Sequence, residues 1–224
     1  MTIDEMVETQ LRQRGILDER VLQAMANVPR HLYVPEALRD LAYSDGPLPI
    51  GFEQTISQPY IVAFMTELLE LYPDDKVLEI GTGCGYQTAV LAEISKRVYS
   101  VENIEPLYLV ARERLRGFGY LNRVHLKHGD GWLGWAEEAP FDRILVTAAA
   151  EHIPEGLTHQ LTSTGRIVIP VGRDVQTLMV GEMHEGKLKT RSTLAVRFVP
   201  LVKEGYQKGE EGDHEEKVKK GKIR

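Results

Sequence analysis

Val77-Leu78-Glu79-Ile80-Gly81-Thr82-Gly83-Cys84-Gly85-Tyr86 decides the fold of this chain. Four residues of strand character run into a turn with glycine at every second position, and a helix-forming stretch, Tyr86 to Ile94, follows. Glycines let the backbone take positive φ and approach a ligand closely. Loop amides and the N-terminus of the helix direct donors at whatever sits there. In open α/β sheets this place, at the carboxyl end of a strand, is where ligands bind.

Working outward, short apolar strands alternate with helices. Downstream lie strand Arg97–Val101, helix Pro106–Arg116 stopped by Gly117, and strands Val124–Lys127, Phe141–Val146 and Gly165–Val171. The alternation predicts an α/β fold: a doubly wound, mostly parallel sheet with helices on both faces. After Gly172, Thr177–Met183 and Leu188–Val199 read as an antiparallel C-terminal edge. Upstream the texture is helical. One helix spans Asp4–Arg14 and stops at Gly15. A second is capped by Asp18, carries Val21, Leu22, Met25 and Val28, and ends at Pro29. A third is Glu36–Tyr43. Residues 44–58, with Gly46, Pro47, Pro49 and Gly51, read as a long loop of the kind that carries function. An amphipathic helix, Pro59–Leu71, closes this part. The expected organisation is a helical N-terminal segment over 1–72 packed on a Rossmann-like core over 73–203. A charged tail, 204–224, has too few apolar anchors to offset ordering entropy and is expected to be disordered.

Composition narrows the partners. A net charge of −6 argues against nucleic acid, whose phosphates reward basic surfaces. A single cysteine, Cys84, excludes an intrachain disulfide and fits a reducing compartment. The polar start, Met1-Thr2-Ile3-Asp4-Glu5, lacks the pattern of a secretory signal. No apolar run approaches the roughly 20 residues that span a bilayer. These features predict a cytoplasmic protein that engages neither membrane nor nucleic acid.

The glycine turn departs from the nicotinamide fingerprint, which wants Gly or Ala where Tyr86 stands. Its spacing, with Glu79 just before it, resembles the first motif of Rossmann-like S-adenosylmethionine methyltransferases. A sulfonium cofactor is cationic and lacks a pyrophosphate, so nearby carboxylates attract it. Glu102, at the end of the second core strand, is placed to accept from ribose hydroxyls. Asp130, in His128-Gly129-Asp130-Gly131-Trp132, is placed to accept from an adenine amine, although Gly-Asp-Gly is equally a turn composition. Upstream, Gln54-Thr55-Ile56-Ser57-Gln58-Pro59-Tyr60 joins the long loop to the amphipathic helix. Local physics alone reads Ser57 as the helix N-cap.

Several stretches together resemble the protein-L-isoaspartate O-methyltransferase family: Val28-Pro29-Arg30, Pro49-Ile50-Gly51, Gln54 through Tyr60, Glu79 through Ala89, His128 through Trp132, Phe141-Asp142, Pro170-Val171-Gly172 and Val196 through Leu201. The resemblance runs over about residues 5–203 in family order. It implies transfer of a methyl group from S-adenosyl-L-methionine to the free α-carboxylate of L-isoaspartyl residues in damaged proteins and peptides, leaving S-adenosyl-L-homocysteine. The ester then closes to a succinimide, which hydrolyses partly to normal aspartate. It makes Ser57 the active-site residue. It places Thr55, Ile56, Glu79, Ile80, Gly81, Gly83, Gly85, Glu102, Asp130 and Gly131 at the cofactor, and Thr55, Ser57, Val196 and Arg197 at the substrate. Tyr60 stands where some members carry histidine. The substrate carboxylate is ionised at pH 7, so the chemistry needs no strong base and no metal. A monomer is favoured. Alternatives are a methyltransferase for small molecules or nucleic acid, a non-catalytic binding module on the same fold, and a nicotinamide oxidoreductase, which Tyr86 disfavours.

Overall fold

The computed structural model describes residues 1–202, so the expected tail lies outside the described residues. The chain begins with a reciprocal cap. Thr2 Oγ1 accepts from the Glu5 amide at 3.2 Å and Glu5 Oε2 accepts from the Thr2 amide at 2.8 Å. Helix α1 (Ile3–Met6) then changes pitch. A wide π turn, Val7–Leu11, brings Gln10 and Leu11 inside, and a 3₁₀ turn, Arg12–Arg14, ends at Gly15 with φ 93°. Helix α2 (Glu19–Asn27) starts as expected, with the Asp18 carboxylate accepting from the Arg20 amide at 2.9 Å. It buries Val21, Leu22, Ala24 and Met25.

The stretch 44–58 is not a simple loop. It contains a hairpin, β1 (Leu48–Gly51) and β2 (Gln54–Ile56), paired antiparallel. Its turn holds Phe52 and Glu53 at φ 53° and 56°, the positive values that a two-residue hairpin turn needs. Pro47 and Pro49 and the absence of an Asn-Gly pair hide it in the sequence. Helix α3 (Pro59–Leu68) is shorter than expected, because Glu70 takes φ 50° and breaks it before Leu71.

The core follows as β3 (Lys76–Ile80), α4 (Tyr86–Ile94), β4 (Arg97–Glu102), α5 (Glu105–Gly117), β5 (Val124–His128), β6 (Phe141–Val146), α6 (Glu155–Thr158), β7 (Leu161–Val171), β8 (Gln176–His184) and β9 (Lys187–Val196). The sheet order is β5-β4-β3-β6-β7-β8-β9. The first five strands are parallel, and β8 and β9 are antiparallel, as the pattern predicts. Helix α5 runs through Gly117, and Gly119 at φ 78° follows its end. Strand β9 stops at Val196 rather than Val199, because Gln176 brackets Phe198 with its side chain. Its Nε2 donates to Phe198 O at 3.0 Å and its Oε1 accepts from the Phe198 amide at 2.5 Å.

Strand β3 is buried on both faces, which explains its unbroken apolar run. On one face Val77, Leu145 and Val168 join Val90 and Leu91 of α4 and the N-terminal residues Met6, Val21, Met25, Val62 and Met65 in one core. On the other, Leu78, Ile144 and Ile167 pack with Phe141 and Leu157. Each such side chain contributes roughly 1.5–3 kcal/mol by burial. The N-terminal segment therefore shares the sheet's own core, and this fixes its hairpin over the carboxyl ends of the strands. Among the described residues no helix is long and apolar enough to cross a membrane.

Candidate cofactor and substrate cleft

Strand β3 hydrogen-bonds to β4 on one side and β6 on the other, so the winding reverses beside it. That reversal opens a crevice at the carboxyl ends of the strands, and the glycine loop forms its floor. Gly81 takes φ 96°, and a Cβ there would run into the Thr147 hydroxyl. Thr147, just past β6, sits 2.8 Å from Gly81 O and 3.0 Å from Ile80 O. Gly85 has a different task. It precedes α4 at φ 86°, facing Leu115 and Ala111 of α5 rather than the cleft.

Glu102 ends β4 and is 5% exposed. Its Oε2 accepts from the Gly83 amide at 2.7 Å and its Oε1 from the Ile104 amide at 2.9 Å. Burial raises its pKa, and the amide bonds oppose that rise. The carboxylate is thus held in one orientation on the cleft wall beside the glycine loop.

Glu79 does not reach the wall. It is fully buried, and its Oε2 accepts from Thr88 Oγ1 and Ser100 Oγ, each at 2.5 Å. Ser100 Oγ lies 2.6 Å from Thr82 Oγ1, and Thr82 lines the cleft. Glu79 Oε1 has no partner, and desolvation pushes the carboxyl up to about 8. The acid that precedes the glycine loop therefore supports it from beneath.

The facing wall comes from the hairpin: Ile50, Gln54, Thr55, Ile56 and Ser57. Ser57 is half-buried, and its hydroxyl has no hydrogen-bond partner among the described residues. The cap reading fails. Gln58 occupies the N-cap position of α3, Pro59 opens the helix, and no side chain caps it.

The third wall is a strap missed in the sequence, Val199–Val202. Its main chain is tied to Ala149, with Ala149 N donating to Val199 O at 2.8 Å and Leu201 N to Ala149 O at 2.7 Å. Trp132 Nε1 donates to Leu201 O at 3.1 Å. Val196 and Arg197 lie just before the strap, outside the wall. Asp130 is also outside it. Its Oδ1 accepts from the Trp132 amide at 2.8 Å, a turn cap, while Gly131 lines the cleft. Tyr60 stacks on Phe64 under the Arg14 guanidinium, 4.0 Å above its ring, and is not on the wall. Asn103, Ile104, Thr147 and Ala148 also line the cleft. These were not expected, although each immediately follows the end of a core strand.

The cleft offers a cavity of about 110 Å³. Among the described residues no lysine or arginine lines it, and Glu102 is the acid that does. No cluster of three or more His, Cys, Asp or Glu side chains among them could hold a metal ion.

Residues 1–206 match the family model described as protein-L-isoaspartate(D-aspartate) O-methyltransferase. A protein-L-isoaspartate O-methyltransferase of Picosynechococcus sp. is 53% identical over 201 residues, 90% of each chain. One from Geobacter metallireducens is 54% identical over 199 residues, 88% of this chain and 92% of its own. Among solved structures, a protein-L-isoaspartate O-methyltransferase superposes with TM-score 0.80 at 27% identity, over 89% of this chain and 65% of that one. A Plasmodium falciparum chain assigned to the same activity, crystallised with S-adenosyl-L-homocysteine, gives 0.79 at 27% identity over 91% and 99%. The switch-point cleft, the hairpin bearing Ser57 and a match over nine-tenths of the chain lead to one conclusion: this chain belongs to the protein-L-isoaspartate(D-aspartate) O-methyltransferase family.

Proposed function

We infer that the chain methylates the free α-carboxylate of L-isoaspartyl residues in damaged proteins and peptides, using S-adenosyl-L-methionine. The observation that carries this reading is the charge pattern of the cleft. One wall holds a fixed carboxylate, Glu102; the opposite wall holds a free hydroxyl, Ser57; no cationic side chain lines the space between. A cleft with one fixed carboxylate and no cationic side chain fits a cationic cofactor. Bound there, the cofactor supplies an electrophilic methyl group on a positively charged sulfur.

Glu102 would accept from the ribose, and the amides it holds, Gly83 and Ile104, fix its aim. Gly81, Gly83, Gly131 and Ile80 allow close backbone approach, and Glu79 steadies Thr82 through Ser100. On the hairpin side of the cleft, Thr55 would meet both ligands and Ile56 the cofactor. Ser57 would hold the substrate carboxylate in line with the methyl group, which is mainly an orientation effect. The charges of carboxylate and sulfonium cancel as the bond forms. A lysine or arginine on the carboxylate would hold the ground state more tightly than the transition state and slow the step. A neutral hydroxyl avoids that penalty. The strap, with Val196 and Arg197 beside it, offers main-chain groups to an extended peptide, a mode that tolerates many side chains. Asp130, occupied as a turn cap by one oxygen, would act on the adenine through the other. The reading includes a cytoplasmic monomer whose one cysteine, buried Cys84, stays reduced.

The test is methyl transfer from labelled S-adenosyl-L-methionine to paired peptides that differ only in an aspartyl or isoaspartyl linkage. Incorporation into the isoaspartyl peptide alone is expected. Equal incorporation into both, or none, would reject the assignment.

A further inference from the structure

Arg30 has no exposed surface and no carboxylate partner among the described residues. Isolated cations in protein interiors are strongly disfavoured, so this one needs a reason. Its desolvation lowers its pKa. Arg30 lies in a 3₁₀ turn after α2. Its Nε donates to Ala42 O at 2.8 Å, and its Nη2 reaches Gly46 O at 3.5 Å. The guanidinium centre sits 5.1 Å from the ring of Tyr86, close enough for a cation–π contact. Its remaining nitrogen, Nη1, has no partner.

These contacts bridge the two halves of the cleft. Ala42–Gly46 is the stem that leads into the hairpin bearing Thr55 and Ser57, and Tyr86 opens α4 directly after the glycine loop. The stem is held from outside as well. Arg14 Nη1 donates to both Asp45 carboxylate oxygens at 2.9 and 3.0 Å. Gln58 Nε2 donates to Asp45 Oδ1 at 2.7 Å. Gln58 follows Ser57, so the ends of the hairpin segment close on each other at Asp45. Only the inner clamp also touches the cofactor side.

We propose that Arg30 is a positioning residue, which sets the Ser57 hairpin against the glycine loop by gripping the hairpin stem and the face of Tyr86 at once. The proposal rests on the methyl-transfer reading of this cleft. Methionine matches arginine's stem in shape without charge or donors. Lysine keeps the charge as a point donor that cannot span two carbonyls in one plane.

Arg30→Met and Arg30→Lys test it by three measurements: amide hydrogen exchange over residues 48–56, calorimetric affinity for S-adenosyl-L-homocysteine, and kcat and KM with an isoaspartyl peptide. In Arg30→Met the hairpin amides should exchange at least tenfold faster while those of α4 keep their protection. Peptide kcat/KM should fall at least tenfold, chiefly in kcat, with homocysteine-product affinity within threefold of wild type. Arg30→Lys should recover part of both losses. A folded Arg30→Met with unchanged exchange and turnover would overturn the proposal. So would a loss of product affinity as large as the loss of turnover, or failure of both variants to fold, since each marks a general structural role. If the wild-type protein itself ignores isoaspartyl peptides, the methyl-transfer reading falls, and the exchange comparison still decides whether Arg30 holds the hairpin.

Discussion

Replacing Glu79 by glutamine should change the pH dependence of stability more than stability itself. The carboxyl is fully buried in β3, an interior strand of the sheet, with two hydroxyls on Oε2 and nothing on Oε1. Burial disfavours the ionised form and places the folded-state value at about 8, against 4.5 for an ordinary glutamate. Between those values the folded protein keeps a proton that the unfolded chain has lost. Stability therefore falls as pH rises from about 4.5 to about 8, then levels off. The slope is about 1.4 kcal/mol per pH unit, so raising the pH from 5.5 to 8.5 should remove on the order of 3 kcal/mol through this group alone. Glutamine keeps the shape and an acceptor for the hydroxyls of Thr88 and Ser100, whose protons can rotate. The variant should match wild type within about 1 kcal/mol at pH 5.5. By pH 8.5 it should be the more stable protein, by on the order of 3 kcal/mol. Urea unfolding of both proteins at half-unit pH intervals measures the difference and cancels groups common to both, including Glu102. Parallel stability curves would refute the reasoning, since Glu79 would then ionise as readily inside as outside.

Glu102→Ala strips the acceptor from the Gly83 and Ile104 amides as well as from the ribose. S-adenosyl-L-homocysteine should bind at least tenfold more weakly by calorimetry, a loss of about 1.5–3 kcal/mol, and a dissociation constant within twofold of wild type would contradict the assignment. Because Gln58 rather than Ser57 occupies the helix cap, Ser57→Ala should cost less than about 0.5 kcal/mol in urea unfolding. Its methyl-transfer rate should still fall at least tenfold, and Ser57→Asp should be slower again, because a second carboxylate repels the substrate; a fully active aspartate variant would remove Ser57 from the mechanism. Gln176→Ala frees Phe198 and with it the start of the strap. Peptide KM should rise at least threefold with roughly 1–3 kcal/mol of stability lost, whereas an unchanged KM would show that the Ala149 bonds suffice to hold the strap.

What could be read from the sequence follows from where each residue's constraint originates. The β3–glycine–α4 unit was legible because its signals are local: an apolar run, alternating glycines and a helical stretch within 18 residues. The placement of Glu79 was also within reach. Successive strand residues alternate faces, so Glu79 shares the side of Val77, the side α4 covers. Counting that alternation would have put it beneath the loop rather than in the cleft. Local physics alone puts Ser57 at the cap, although proline favours the first helical position, which makes Gln58 the residue before the helix; only the family resemblance points Ser57 at the substrate. The strap is different. Nothing in Val196–Val199, before Pro200, stops β9. The strand ends because Gln176, 22 residues upstream, takes the hydrogen bonds of Phe198, and because Ala149, some 50 residues upstream, binds the chain that follows. Arg30 shows the same limit from the other side. Its three-residue motif marked it as a point of resemblance, but its work depends on Ala42, Gly46 and Tyr86, which only the folded chain brings to one guanidinium. Cofactor chemistry is written in local pattern here, whereas the geometry between cofactor and substrate is set by long-range contacts, and the substitutions that test function most sharply lie at those contacts.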